Sequence, residues 1–429
     1  MRRLVPMTLL LAGSAWAETL TVEDAVRRVL DSSAQVQAAR ERRDAAADAS
    51  RSVRGQLLPA LSVSDELQHY SGPFTVALTI PGAPVSPGLN VRDQNTNTLV
   101  LGAKQPVVGL LKTSQDFVAA NANADAAQAQ LEATERGLRE AVETGYLRLF
   151  EARAAKEVAH TAQVQLGEQL AVAKARVEAG AMTTADVLRV QVARANIQQQ
   201  ELQAGVQESA ARTQLLVLLG LPLDGDFEFA EPVSLEAEAQ TPVPALPEAT
   251  ERALQERPEL VQQAHLLDAA RATARSRLCS LLPDIDLTAS WVRVDGQALA
   301  QKEAASIGVR ASWPIWLWGT QWYAHRAAVH QAEAARLTTE DARRQVRGEV
   351  SGRMDQLRAA TSAIEVAKTA LESAEEAWRV TSAVVQAGSG TTTDLLDAQS
   401  ALTQARLNLV RARYQQALAR VQLRRAMGG

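Results

Sequence analysis

Two hydrophobic periods run along the 429 residues. From Ile285 the apolar positions alternate as Ile285, Leu287, Ala289 and Trp291, with Asp286, Thr288 and Ser290 between them. Ile307, Val309, Ala311 and Trp313 alternate in the same way against Ser306, Gly308, Arg310 and Ser312. A period of two predicts a strand with one apolar and one polar face. Leu61, Val63 and Leu67, then Leu99, Leu101 and Ala103, repeat the pattern less cleanly. Strands are therefore expected near 60–70, 96–107, 284–294 and 305–315. Each has about 9 to 11 residues, the length of a tilted strand crossing a bilayer. Four strands cannot close a barrel, because about eight is the smallest closed number. Several copies of the chain would have to share one. The connection Ser71–Asn95 is long and contains Pro73, Pro81, Pro84 and Pro87, whereas Asp295–Ala304 is short. Membrane barrels carry their long loops outside, so both connections are expected to be extracellular.

The second period is helical. Lys112–Ala179 and Thr320–Ala387 contain no proline, and each would extend roughly 100 Å at 1.5 Å per residue. Leu357, Ile364, Leu371, Trp378 and Val385 recur every seven residues, as do Leu395, Leu402 and Leu409. Leu188, Ala195, Leu202, Ser209 and Leu216 alternate large and small at the same spacing. Sevenfold spacing predicts coiled-coil seams in an extended assembly. Shorter helices are expected over 22–57, 184–219, 247–281 and 392–425.

The punctuation of these elements recurs. Val177-Glu-Ala-Gly180-Ala-Met-Thr183-Thr184-Ala-Asp186-Val-Leu188 returns 208 residues later as Val385-Gln-Ala-Gly388-Ser-Gly-Thr391-Thr392-Thr-Asp394-Leu-Leu396. Pro106 meets Pro314 at that offset, and Leu57-Leu58-Pro59 is matched by Leu281-Leu282-Pro283. An internal repeat outranks other sequence signals in setting the fold. We therefore expect two copies of one plan, 18–219 and 248–429, joined by a five-proline linker at 220–247.

Composition adds to this picture. Aromatics make up 4% of the chain, while alanine fills 80 positions. Small residues suit closely packed helices and argue against an all-β globule. A formal charge of −4 gives no electrostatic reason to expect nucleic acid. Arg2 and Arg3, the apolar run Leu4–Gly13 and Ala15-Trp16-Ala17 follow the order of a cleavable secretion signal at 1–17. The mature chain would then start at Glu18 with a charge of −6. Cys279 is the only cysteine, so there is no intrachain disulfide and no N-terminal acceptor for a lipid, and it is expected to be buried. Nowhere do about 18 to 20 apolar residues run uninterrupted, and a secreted chain of this kind is soluble or a β-barrel.

The candidate sites are local. Gly180 and Gly388 fit the left-handed residue after a helix end. Thr183 and Thr391 fit the N-cap of the returning helix, next to Thr184 and Thr392 at its start. Asp186 and Asp394 stand where an acid completes a capping box. Capping alone accounts for the two aspartates; the functional clue is that these hairpins lie at the end farthest from the strands. Trp313, Trp316, Trp318, Trp322 and Tyr323 cluster where a strand becomes a helix, as an aromatic belt at a membrane interface would. His69, His160, His265, His325 and His330 are scattered, and the last two point to different sides of a helix. No nucleotide-binding, hydrolase or metalloprotease motif occurs. No enzyme activity, cofactor or metal is expected.

This arrangement resembles the TolC family of outer-membrane efflux proteins over nearly the whole mature chain. The resemblance rests on the two-fold repeat and on Leu-Leu-Pro before the first strand of each half. It rests further on Gln105-Pro106-Val107-Val108-Gly109 and Trp313-Pro314-Ile315-Trp316 at the strand exits and, most specifically, on the Val-x-Ala-Gly-x-x-Thr-x-x-Asp hairpins. It implies a mainly α fold with a β-barrel part. Each protomer of a homotrimer would give four strands to a twelve-stranded transmembrane barrel and helices to a coiled-coil periplasmic tunnel. It also implies a passive exit duct in the Gram-negative outer membrane, serving tripartite efflux or type I secretion. A periplasmic adaptor and an inner-membrane transporter would be partners, the adaptor meeting hairpins 179–187 and 387–395 at the aperture. The Asn-Pro pair frequent in the first helix of each half is here Ser33-Ala34 and Arg257-Pro258, and the lipidated cysteine of many relatives is absent. Two other classes compete: a soluble periplasmic coiled-coil adaptor and a structural surface protein. Neither requires paired, barrel-length amphipathic strands in both halves.

Overall fold

The computed structural model describes residues 18–77, 88–231 and 242–429. The expected leader and parts of the proline-rich connection and linker lie outside the described residues. In chain order the elements are β1 (Glu18–Leu20), α1 (Val22–Ser32), α2 (Ala34–Gly55), β2 (Ala60–His69), β3 (Phe74–Val76), β4 (Leu89–Pro106), α3 (Gly109–Glu178), α4 (Thr184–Leu218), β5 (Phe227–Phe229), α5 (Leu246–Glu256), α6 (Pro258–Cys279), β6 (Asp284–Gln297), β7 (Glu303–Ser312), α7 (Thr320–Gln386) and α8 (Thr392–Ala426). Two compact units form. One takes the chain through Ala39, Leu131–Pro258 and Arg343–Gly429; the other takes Arg40–Gln130 and Glu259–Ala342.

The first unit is helical. Thr21 caps α1 by accepting from the Asp24 amide at 3.2 Å, and Ala25, Val26 and Val29 form its buried face. The core joins that face to Leu138, Val142, Tyr146, Leu149, Leu215 and Leu219. Each fully buried leucine there contributes about 1.5–3 kcal/mol. The Tyr146 hydroxyl donates to the Leu20 carbonyl at 2.9 Å and also to the Ala230 carbonyl. These two carbonyls flank the parallel β1–β5 pair, so one phenol fixes both strands to α3. Along α8, Ala405, Ala412, Ala417, Ala419 and Ala426 are buried. Their small side chains let helices approach closely, and this is where part of the alanine excess is used.

Two of the four shorter helices expected from the sequence are interrupted. Val22–Leu57 was expected as one helix, but Ser33 is extended at φ −63°, ψ 128°. The helix expected over 247–281 breaks at Arg257, φ −72°, ψ 120°. Pro258 explains the second break, because a proline disfavours helical backbone in the residue before it. At Ser33 no proline follows. Its hydroxyl instead accepts from the Gln35 amide at 3.2 Å and so starts the next helix.

The second unit carries an antiparallel sheet of order β2-β4-β6-β7, with β3 added to β4. Leu61 pairs with Ala103, Ala103 with Ala289, and Ala289 with Ile307. The ladder of β4 with β6 shifts between Arg92 and Asn97. Beside the shift Gly296 has φ +84°, and an added Cβ would lie 2.3 Å from the Asn95 carbonyl oxygen, so glycine is required there. β4 starts earlier than its pattern predicts because Asn90, Arg92, Asp93, Gln94 and Asn95 put polar groups on both faces. Without alternation that part had no strand signal. Ala269, Ala272 and Ala328 are buried, and α7 reaches α6 through the Thr339 hydroxyl, 3.5 Å from the Gln263 carbonyl oxygen. Among the described residues no helix is long and apolar enough to cross a membrane.

Candidate functional site

Two helical hairpins in the first unit have the same construction. Gly180 and Gly388 stand in left-handed backbone, φ 73° and 81°. The Ala181 amide returns to the Arg176 carbonyl at 2.8 Å and the Ser389 amide to the Val384 carbonyl at 3.1 Å, which closes each helix end. Thr183 then caps α4, accepting from the Asp186 amide at 3.3 Å while its own amide donates to Asp186 Oδ2 at 3.3 Å. Thr391 and Asp394 repeat this at 3.1 and 3.3 Å. The Thr183 hydroxyl donates to the Asp186 carboxylate at 2.6 Å, and chiefly for that reason the carboxyl titrates below its usual range. Thr184 is exposed, whereas Thr392 is buried.

Two arginines absent from the sequence reading tie the hairpins together. Arg176 Nη1 donates to the Val385 carbonyl at 3.2 Å. Arg189 Nη1 lies 3.3 Å from Thr393 Oγ1 and 3.5 Å from Asp186 Oδ1. Position in the repeat gave no hint of them, because the matching positions Val384 and Asp397 are not basic. Deeper in, Gln399 Nε2 donates to Gln165 Oε1 at 2.9 Å.

The heptads divide into two kinds. Leu357, Ile364 and Val385 are buried within the chain, and Leu371 and Trp378 are half-buried, so this seam packs internally. The α4 seam does not. Leu188, Ala195, Leu202 and Ser209 are exposed, Leu202 at 61%, and only Leu216 reaches the core. Val192 and Val206, one turn away, are exposed too, Val206 at 70%. Inside the chain α4 is packed through Val187, Val190, Ala204 and Leu215, a different face. The sevenfold stripe therefore lies on the side of α4 that the chain's own helices leave uncovered.

The sheet in the second unit has a wet face and a dry face, and the dry one is left exposed. Ile307 is 77% and Val309 72% exposed, in rows with Leu61, Ala103 and Ala289 or with Leu287. On the other face Ser290 and Ser306 hydroxyls lie 2.9 Å apart, and Lys104 Nζ lies 2.8 Å from Asp286 Oδ2. The apolar rows end on one side at Asp65, Leu99, Arg293 and Glu303. Just past the other end of β7, Trp313, Trp316, Trp318, Trp322 and Tyr323 are all exposed. Trp316 and Trp318 rings pack edge-on at 5.8 Å, and Trp318 itself has a left-handed φ of 52°. That conformation is costly for a bulky residue.

The histidines take separate partners: His69 Nδ1 lies 2.7 Å from Asn95 Oδ1, His160 Nδ1 2.9 Å from Glu201 Oε1, and His325 Nδ1 3.1 Å from the Ala274 carbonyl. Cys279, expected to be buried, is half-buried at the last residue of α6.

The sequence model of a family described as outer membrane efflux protein matches residues 25–221 and 249–429. Alkaline protease secretion protein AprF of Pseudomonas aeruginosa is 28% identical over 274 residues, covering 62% of this chain and 56% of that protein. The chain thus spans little more than half of that relative's length. Outer membrane efflux protein BepC of Brucella suis is 25% identical over 340 residues, covering 78% of this chain and 73% of that protein. The crystal structure of the outer membrane protein VceC of Vibrio cholerae has a similar fold, with a TM-score of 0.82 over 95% of this chain and 96% of that one at 18% identity.

Proposed function

The chain belongs to the outer membrane efflux protein family, and from that premise we propose that it is the exit duct of a tripartite efflux or type I secretion system. The observation that carries this is the sheet. Large apolar residues stand exposed along one face, the other face carries serines and an ion pair, and β2 and β7 are edge strands. An apolar face in water would be costly, whereas lipid accepts it. Unpaired edge groups in lipid cost several kcal/mol each, so β7 of one copy requires β2 of the next. Three copies would supply twelve strands. From Glu303 at the start of β7 to Trp313 just past its end, the backbone covers about 34 Å at 3.4 Å per residue. Tilted at about 40°, that length spans the roughly 25 Å apolar band of an outer-membrane barrel.

The aromatic group Trp313–Tyr323 then marks the periplasmic interface. The uncovered stripe Leu188, Val192, Leu202 and Val206 is the surface on which a neighbouring copy packs in the homotrimer. Passage is diffusion along a polar lumen, so no bond is made or broken. The hairpins at Gly180–Asp186 and Gly388–Asp394 form the aperture and receive a periplasmic adaptor, which links the duct to an inner-membrane transporter. AprF is named for secretion of a protease and BepC for efflux; we extend to this chain only the shared role of an export duct. The test is fractionation followed by reconstitution. Outer-membrane trimers that conduct ions in planar bilayers are expected. A soluble periplasmic monomer without conductance overturns the proposal.

A further inference from the structure

One end of the sheet is free of acids. Residues 49–64, 94–115, 269–283 and 304–332 contain no aspartate or glutamate, although the chain as a whole has 49. The same stretches hold nine lysines and arginines. They are the junctions of α2 with β2, β4 with α3, α6 with β6 and β7 with α7. The strand registers bring all four to one end of the sheet, where Ala60 pairs with Lys104, Pro106 with Asp286 and Asp284 with Ser312. The opposite end is mixed in charge: Asp65, Glu66, Asp295 and Glu303 stand there with Arg293 and Lys302. The positive sign therefore belongs to one end and not to the sheet as a whole.

The junction of β7 with α7 adds an apolar surface to that charge. Trp318 is 83% exposed, although it stands in the costly left-handed backbone described above. The Leu317 carbonyl accepts from the Thr320 amide at 3.0 Å and from the Thr320 hydroxyl at 2.6 Å, so this turn is closed by its own bonds. The strain thus presents the ring outward, where no contact within the chain offsets it. Ile315 and Trp316 are exposed beside it, and the loop continues the apolar face of β7 past Ile307 and Val309. On α7, Trp322 and Arg326 are four residues apart, hence on one face, and both are exposed. Helix α6 lies alongside, with the Ala274 carbonyl 3.1 Å from His325 Nδ1. Arg277 is three residues closer to the sheet than Ala274, as Trp322 is than His325, so the two stand near one level. No acid lies within four residues of Arg277 or Arg326. Asp268 and Glu333, the next acids away from the sheet, are held by Arg271 at 3.5 Å and Arg336 at 2.7 Å.

An apolar loop followed at once by uncompensated arginines is a surface of two parts. Water leaves the rings uncovered, a free anion does the same, and an uncharged lipid leaves the arginines without a counter-charge. We propose that this end of the second unit binds anionic phospholipid of the inner leaflet, with Trp316, Trp318 and Trp322 against its acyl and glycerol region and Arg277 and Arg326 on its phosphate. Amphipathic rings favour that depth, and the planar guanidinium matches a phosphate with two parallel hydrogen bonds. The proposal rests on the reading of the sheet as membrane-spanning, but not on the conductance of the duct.

The experiment reconstitutes the full-length protein in phosphatidylcholine bilayers and reads quenching of tryptophan fluorescence by brominated lipids. A background of Trp291→Phe and Trp378→Phe leaves the Trp313–Trp322 group as reporters, apart from Trp16 in the expected leader. Brominated phosphatidylglycerol should associate with this group at least about fivefold more strongly than brominated phosphatidylcholine, the effect of one arginine beside an anionic lipid. The double variant Arg277→Gln/Arg326→Gln should bring that ratio close to one with helix content unchanged by circular dichroism. Arg358→Gln, in the first unit, should leave it as it is. Equal quenching by the two lipids overturns the site, as does a preference that survives the double variant or one that Arg358→Gln removes equally. Loss of the preference in millimolar inorganic phosphate at constant ionic strength would assign the arginines to the free ion and overturns it too. Conductance of the same bilayers is read separately. Lipid preference without conductance keeps the site and sinks the duct proposal; conductance without preference does the reverse.

Discussion

Arg189 reaches from the first hairpin to the second, with its Nη1 3.3 Å from Thr393 Oγ1 and 3.5 Å from Asp186 Oδ1. Any opening that separates the two hairpins must break this contact. Arg189→Ala is therefore expected to raise the open probability in planar bilayers a few-fold, the scale of one exposed hydrogen bond. Thermal stability should hardly change. An unaltered open probability would mean that the hairpins move together.

The cap at Thr183 has a pH signature. Hydrogen bonding from Thr183 lowers the Asp186 pKa from its ordinary 3.8. A lowered folded pKa gives stability that is complete above the ordinary value and lost as pH falls through the lowered one. The melting-temperature gap between the wild-type protein and Asp186→Asn should stay constant from pH 7 to about 4 and narrow below that. A gap that widens on acidification contradicts the cap geometry.

Burial of the Tyr146 hydroxyl raises its pKa from 10.0 to about 12. The sign is opposite: stability is complete below 10.0 and declines as pH rises towards 12. Tyr146→Phe leaves the Leu20 and Ala230 carbonyls without this donor, at an expected cost of about 1–3 kcal/mol. Denaturant melts should show that loss at neutral pH, and protease should cut near β1 sooner. The variant should also lose the alkaline decline.

Leu202 is exposed on α4 and contributes nothing to the chain's own core. Leu202→Glu should therefore leave helix content intact while shifting the detergent-solubilised particle from trimer to monomer. Light scattering after size exclusion, paired with circular dichroism, separates the two effects. A trimer that survives would assign the stripe to some other contact.

Neighbouring positions on β7 should differ sharply. Ile307 lies on the apolar face and Ser306 on the polar one. Ile307→Arg places a charge in lipid at a cost of about 2–4 kcal/mol near the bilayer midplane. It should abolish the heat-resistant assembly seen on semi-native gels, whereas Ser306→Arg should keep it and reduce conductance. Equal damage at both positions would disprove the assignment of faces.

The sequence alone determined what depends on neighbours along the chain. Alternation from Ile285 to Trp291 set a strand with two unlike faces, because successive side chains point oppositely. Gly180, Thr183 and Asp186 specified a hairpin because capping joins residues at most five apart. Sevenfold spacing announced seams, but not which seam is covered: Leu357–Val385 turns inward and Leu188–Leu202 outward, and only packed helices decide that. The turn at Ser33 was illegible because a serine cap looks like any surface serine until the Gln35 amide is seen to use it. Arg176 and Arg189 were equally silent. Their roles depend on partners far along the chain, such as Val385 and Thr393, and on contacts that exist only after the hairpins meet.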